Sequence, residues 1–263
     1  MRLDDLGRLL DDLFLPGQFE DGCRNGLVIP GQEAVKRLLL GVSLTRDLVD
    51  RAMAMKAEAL LVHHGVFLTG PWSLPPSILP VVKRLVENEI SLFVYHLPMD
   101  AHLEFSHNRS LLEGLDPAKP TPFCPYGLVS DLRRPLTVDE VQNRLPAQSW
   151  AQEMGVRPIP GVTGLEWNKG RWICRCGPEP VRRVAVVSGR GGSELELAAA
   201  AGADLFITGE ISEHHPELAA IHRIGLIALG HGLSETGGLV RLGDWLRKMT
   251  PLEVGLAPLD NPL

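Results

Sequence analysis

Two rhythms of apolar residues alternate along this chain. Leu3, Leu6, Leu9, Leu10 and Leu13 recur at helical spacing and predict a helix over residues 3–15. Short continuous apolar runs follow over 37–42, 59–63, 90–95, 181–188, 204–208 and 225–229. Runs of that length, bounded by turn residues, read as buried strands. Between them, helical periodicity covers 46–57, 78–88 (Ile78, Val81, Val82 and Leu85 on one face), 193–201 and 215–223. Strand, helix, strand in succession implies crossover connections, hence largely parallel sheets with helices on their faces. Asn108 to Leu115 and Gly238 to Lys248 add two further helices, the second followed by a proline-containing end. Thr137-Val138-Asp139-Glu140 has the form of a capping box. Asp21 to Gly26 reads as a loop, and 155–177, with Gly, Pro and Trp in weak alternation, as strands and loops.

Pro117, Pro120, Pro122, Pro125 and Pro135 mark a shift in composition and a candidate boundary or crossover. On either side of it lies a similar unit. Lys36 to Gly41 leads through a helix to Glu58 to Gly65, and Arg182 to Val187 leads through a helix to Ala203 to Glu210. An internal duplication and the common likeness of any two β-α-β units both account for this.

Length and composition are those of an ordinary globular protein, with room for one large domain or two smaller ones. The net charge of −6 disfavours a nucleic-acid binder driven by bulk charge, while leaving room for a local basic groove. No stretch has the length of apolar sequence that a membrane span needs, and the acidic, amphipathic N-terminus is unlike a signal peptide. The expected location is the cytoplasm. Cys23, Cys124, Cys174 and Cys176 are few and lack metal or redox spacing, so they read as reduced structural thiols.

The histidines change this picture. All nine fall within residues 63–107 and 214–231. His63 and His64 end one apolar run. His96 follows another and precedes Asp100 by four residues. His231 follows a third and precedes Glu235 by four. In open α/β sheets, ligands bind beyond the carboxyl ends of the strands, where these groups are predicted to sit. Imidazole nitrogens and carboxylate oxygens suit Zn, Mn, Fe, Co or Ni. Two adjacent histidines diverge and serve two ions more naturally than one, and carboxylates can bridge ions. The expectation is a dinuclear site of His63, His64, Asp100, His231 and Glu235, of the kind that activates water for hydrolysis. A single structural zinc is the competing reading.

These segments resemble a known family. Leu61-Val62-His63-His64-Gly65, His96-Leu97-Pro98-Met99-Asp100-Ala101-His102, Thr208-Gly209-Glu210-Ile211-Ser212-Glu213 and Gly230-His231-Gly232-Leu233-Ser234-Glu235 match, in order, the Nif-three-like dinuclear metal-centre family, and most closely its short bacterial branch. Its members are often called GTP cyclohydrolase I type 2 homologues. The stretch from Asp21 to Leu27 and the closing Leu259-Asp260-Asn261-Pro262 extend the likeness nearly end to end.

The resemblance implies an α/β fold of two lobes, with mostly parallel or mixed sheets flanked by helices. Residues 1–125 and 230–263 would form the metal-binding lobe, completed by the C-terminal segment, and 126–229 the second lobe. It implies two divalent ions on the five residues above, with His96 a catalytic proton handler. His102 and Glu210 would line the cavity as supporting groups. It also implies assembly into a hexameric, toroidal ring. The implied function is a metal-dependent hydrolase acting on a nucleotide-like, cyclic amide or phosphorylated small molecule. The alternative is a ring-shaped metal-binding scaffold, metal chaperone or repair-associated protein. Gly232-Leu233 departs from the family pattern, which bears on contacts behind the ligands and not on the ligands themselves.

Ser188-Gly189-Arg190-Gly191-Gly192-Ser193 follows a strand and opens a helix, a geometry that can cradle phosphate. It lacks the P-loop ending and the dinucleotide fingerprint, and a tight turn is the better reading. Trp150, Trp167 and Trp172 read as packing or interface residues. His107, His214, His215 and His222 read as ordinary surface or helix-capping histidines, with His214 and His215 at most on the rim of the cavity.

Overall fold

The computed structural model describes residues 1–65, 76–146, 165–168 and 170–258. The chain forms two compact units, Met1–Phe105 with Gly238–Leu259, and Ser106–Gly237.

The first unit opens with α1 (Leu3–Phe14), whose Leu3, Leu6, Leu10 and Phe14 are buried. Next come β1 (Gly26–Ile29), β2 (Arg37–Ser43), α2 (Arg46–Met55), β3 (Ala59–His64), α3 (Leu79–Glu87), β4 (Ser91–Val94) and the single turn α4 (Leu97–Asp100). Strands β2, β3 and β4 are parallel neighbours, and β1 runs antiparallel beside β4. Leu38, Leu40, Leu61 and Phe93 pack with α1 on one face, while Leu39, Leu60, Leu92 and Val94 pack with α2 and α3 on the other. Burial on both faces is why these strands read as continuous apolar runs and not as alternation.

The second unit contains α5 (His107–Glu113), β5 (Thr121–Cys124), β6 (Gly127–Leu136), α6 (Val138–Arg144), β7 (Leu165–Asn168), β8 (Arg171–Cys174), β9 (Val181–Val187), α7 (Leu195–Ala200), β10 (Leu205–Thr208), α8 (His215–His222), β11 (Gly225–Ala228) and α9 (His231–Ser234). Its sheet has the order β5-β6-β9-β10-β11-β8-β7. Only the central β9, β10 and β11 are parallel; the flanking pairings are antiparallel. The chain then returns to the first unit through α10 (Gly237–Met249) and β12 (Glu253–Leu256), which adds in parallel to β2. The first sheet thereby has the order β1-β4-β3-β2-β12.

The two units repeat one design. Each has three parallel strands joined by helices, with an antiparallel strand beside the third. The same polar clip starts both. In the first unit Glu58 Oε2 accepts the backbone N–H groups of Lys36 and Arg37 at 3.1 and 2.7 Å, and Arg37 Nε donates to Lys56 O. In the second, Asp204 Oδ2 accepts those of Arg182 and Arg183 at 2.7 and 3.0 Å, and Arg183 Nε donates to Ala201 O. The carboxylate before the second strand thus satisfies backbone donors at the start of the first, which sheet pairing leaves over. A repeated clip of this kind favours internal duplication over a chance likeness.

The structure differs from the sequence reading at several points. Residues 117–135 hold no plain crossover: β5 and β6 form an antiparallel hairpin there. Pro122 lies on β5, the sheet's edge strand, where its missing N–H costs little. The proline-containing end includes β12. The helix expected from Ser193 begins as a 3-10 turn over Gly191–Glu194. Residues 106–125 and 230–237, placed by sequence with the first lobe, pack in the second unit. Asn108 explains the first segment: its side chain accepts from Ser188 N at 2.7 Å and donates to Tyr126 O, tying α5 to β9 and the hairpin. Ser234 explains the second, since its hydroxyl accepts from Gly189 N at 2.8 Å. Trp150, residues 155–164 and the closing Leu259–Pro262 motif lie outside the described residues.

The capping box forms. Thr137 Oγ1 accepts from Glu140 N at 3.1 Å, and Glu140 Oε2 accepts from Thr137 N at 2.9 Å. Thr137→Ala should lower stability by about 1 kcal/mol, read as a shift in the denaturant midpoint at unchanged slope.

Candidate metal-binding clusters

In the first unit the polar cluster lies where β3 and β4 end. His63, the fifth residue of β3, is fully buried. Its Nδ1 donates to Tyr95 O at 3.0 Å, because a carbonyl can only accept. The Nε2 lone pair therefore stands on the other side of the ring, 3.7 Å from Asp100 Oδ1. His64 Nδ1 meets Ser43 Oγ at 3.0 Å. Ring centroids of His63 lie 4.7 Å from His64 and 4.9 Å from His96. Nitrogens of these three histidines come within 4.8 Å of one another, close enough to hold one ion.

His96 is held by the loop before β1. Asp21 Oδ1 accepts from His96 Nδ1 at 2.9 Å, while Asn25 Oδ1 accepts from His96 N at 2.7 Å. Asp21 also accepts from Leu97 N, Cys23 N and Asn25 Nδ2. Burial alone would raise the Asp21 pKa, but the hydrogen bonds from His96 and Asn25, the charge of His96 and the Leu97 N–H hold it down at about 2. A carboxylate on Nδ1 fixes the orientation of the ring, as it does behind metal-bound histidines.

In the second unit the corresponding cluster follows β10 and β11. His231 Nδ1 lies 2.6 Å from Glu210 Oε1, and its Nε2 lies 3.2 Å from Glu235 Oε2. Arg190 Nε donates to Glu210 Oε2 at 3.3 Å. The hydrogen bond with Glu235 raises the His231 pKa to about 9; burial opposes this, and the charges of Glu235 and Glu210 add to it. A ring held between two carboxylates draws positive charge to Nε2, whether as a proton or as a metal ion.

Gly189 makes room for this cluster. Its φ is +59°, and a Cβ there would stand 2.2 Å from Glu235 Oε1. That contact accounts for the glycine-rich turn after β9 as a tight fit against Glu235, with no phosphate needed to explain it.

The two clusters occupy equivalent places in the repeated design. Each has a histidine following the third parallel strand and a carboxylate four residues beyond it: His96 and Asp100, His231 and Glu235. The nitrogen and oxygen donors in both suit borderline divalent ions. Asp21 and Asn25 hold His96 through contacts that residue-by-residue reading missed. The only signal was the density of polar side chains in a short loop whose sequence matched the family. Among the described residues His102 joins no candidate cluster: its Nδ1 accepts from Glu104 N and Phe105 N, and its ring packs on Phe14 and Phe105. Two of the histidines read as surface groups are not exposed: His107 is fully buried at the start of α5, and His215 is buried at the start of α8. His215 accepts from Ser212 N, and His222 pairs with Glu196.

A two-unit α/β fold with histidine–carboxylate clusters beyond its strand ends defines a class of candidate metal-binding proteins. Within that class, the chain belongs to the Duf34/NIF3 (NGG1p interacting factor 3) family, whose model matches residues 1–261. It is similar to a Salmonella typhimurium protein named GTP cyclohydrolase 1 type 2 homolog, 32% identical over 276 aligned positions covering 100% of both chains. Among solved structures it is similar to protein ybgI, described as of unknown function, at 31% identity and a TM-score of 0.85, covering 100% of both chains. It is also similar to TTHA1606 from Thermus thermophilus at 25% identity and a TM-score of 0.82, again covering 100% of both. No helix among the described residues is long and apolar enough to cross a membrane.

Proposed function

We propose that this chain is a metal-dependent hydrolase holding two divalent ions on His63, His64, Asp100, His231 and Glu235. The observation that carries the reading is that each unit holds a histidine–carboxylate pair of the same kind. In each unit a histidine has Nδ1 fixed on an oxygen and Nε2 facing a carboxylate, at 3.7 Å for His63 and Asp100 and 3.2 Å for His231 and Glu235. Nitrogens oriented in this way are ready to coordinate and lose little freedom on doing so. When bound, paired ions supply a hydroxide at neutral pH and polarise the substrate oxygen. His96, backed by the Asp21 carboxylate, accepts and returns the proton. The substrate class is a nucleotide-like, cyclic amide or phosphorylated small molecule, a choice supported by the name of the bacterial relatives. Assembly of six copies into a ring belongs to the same proposal.

Elemental analysis of the purified protein, paired with a hydrolysis screen over nucleotides and cyclic amides, tests it. About two ions per chain and metal-dependent turnover of at least one compound are expected. About one ion at saturation would remove the two-ion reading. Full metal loading with no turnover across the panel would favour the scaffold or metal-chaperone alternative.

A further inference from the structure

The second unit holds a cavity of about 350 Å³ beside His231, within the range of small-molecule sites. Two of its lining residues are Trp167 and Trp172, which face each other across the β7–β8 pair; Trp172 is in turn paired with Ala228, the last residue of β11. Residues paired in this way share a face of the sheet, so Trp167, Trp172 and Ala228 stand in a row across β7, β8 and β11, with both indoles on one side of a floor lowered to a methyl group. Gly209 and Gly230 add lining with no side chain, and Ile211 adds apolar surface. The polar lining is Glu210 and His231.

The indole centroids are 4.8 Å apart at 64°, an edge-to-face contact that leaves ring faces for other partners, and both indoles remain partly exposed. The partly covered indoles stand beside a floor of Ala228, Gly209 and Gly230, where small residues leave room for a flat ring. Aromatic faces bind flat π-systems with little regard to their substituents. An ionised Glu210 carboxylate only accepts hydrogen bonds, so it selects a ring edge that donates them.

We infer that this cavity is a subsite for a flat heteroaromatic ring with N–H donors along one edge, stacked on Trp167 or Trp172 with that edge toward Glu210. The inference deepens the hydrolase reading, because it names the part of the substrate that the second unit would hold beside His231. Ring binding itself needs neither an ion nor turnover.

Tryptophan fluorescence titrated with guanosine, adenosine and ribose tests the subsite on full-length protein, once as purified and once after chelator treatment. Saturable quenching by guanosine, whose ring edge carries N1–H and N2–H donors, weaker quenching by adenosine, whose edge carries one amino donor, and none by ribose are expected in both preparations. Trp167→Ala and Trp172→Ala should each weaken binding by at least about five-fold, while the phenylalanine variants retain most of it. Ile211→Trp fills the cavity while leaving both indoles in place, and should abolish binding even if an alanine variant fails to fold. Absence of quenching by guanosine at millimolar concentration overturns the inference, as does unchanged affinity in Ile211→Trp. Because the chelated protein is tested separately, failure of the metal-centre reading and failure of the ring subsite give different results.

Discussion

Asp100→Ala and Glu235→Ala proteins should each purify with less than the wild-type complement of metal, and hydrolysis should fall further than the roughly 10–100-fold expected for loss of an outer hydrogen-bond partner. Asp100 stands 3.7 Å from the Nε2 of a fully buried histidine, and Glu235 is itself buried 3.2 Å from His231. Each supplies the negative charge that makes its pocket attractive to a cation. Removing it leaves the histidine in place with less negative charge to neutralise a divalent ion. Metal binding to the folded state alone raises stability in proportion to the logarithm of free metal over its dissociation constant. Added metal should therefore raise the melting temperature of the wild type and raise it less in either variant. This readout is independent of the substrate. Variants that keep the full metal complement and the full thermal shift would show that the ion is held elsewhere.

Gly189→Ala should separate site from fold. An alanine at φ +59° costs about 1–2 kcal/mol, a modest part of a domain's stability. Its effect on the site should be far larger. The new methyl would stand 2.2 Å from Glu235 Oε1 and 3.3 Å from His231 Nε2, so the carboxylate has to move. The same residue donates its N–H to Ser234 Oγ and accepts from Glu210 N, so three segments adjust together. The expected outcome is a cooperative unfolding transition at slightly lower denaturant, together with loss of the metal bound through Glu235. Wild-type metal content in a folded Gly189→Ala protein would mean that Glu235 is not a ligand.

Much of this fold was legible because both sheets bury two faces. Leu38 to Val42, Leu60 to Val62 and Val184 to Val187 could only be core strands, and polar residues immediately after such strands could only be at their ends. The candidate residues were legible for the same reason. The hairpin of β5 and β6 was hidden by its prolines, which are tolerated because β5 has an open edge. Strands β1 and β12 were hidden because they end the sheet and are only partly buried, so they lack the continuous apolar run that made the equally short β4, β10 and β11 legible. Asp21 escaped notice because its role lies in a contact with His96, 75 residues away in sequence. Spacing within one segment carries no trace of such a partner. The glycines after β9 were legible as a turn, while their reason, the room needed by Glu235, was not.

The return of the chain through α10 and β12 has a consequence for synthesis. The second unit is continuous between Ser106 and Gly237, so all its strands can pair while later residues are still being made. The first unit lacks that freedom. One edge of β2 waits for β12, and Leu239, Leu242 and Leu246 of α10 complete the core beneath α1 only after the whole second unit has been synthesised. Until then the nascent chain carries an unpaired strand edge and an uncovered apolar face, the features that recruit chaperones and invite aggregation. A ribosome that stalls after Gly237 would thus release a finished second unit joined to an unfinished first one.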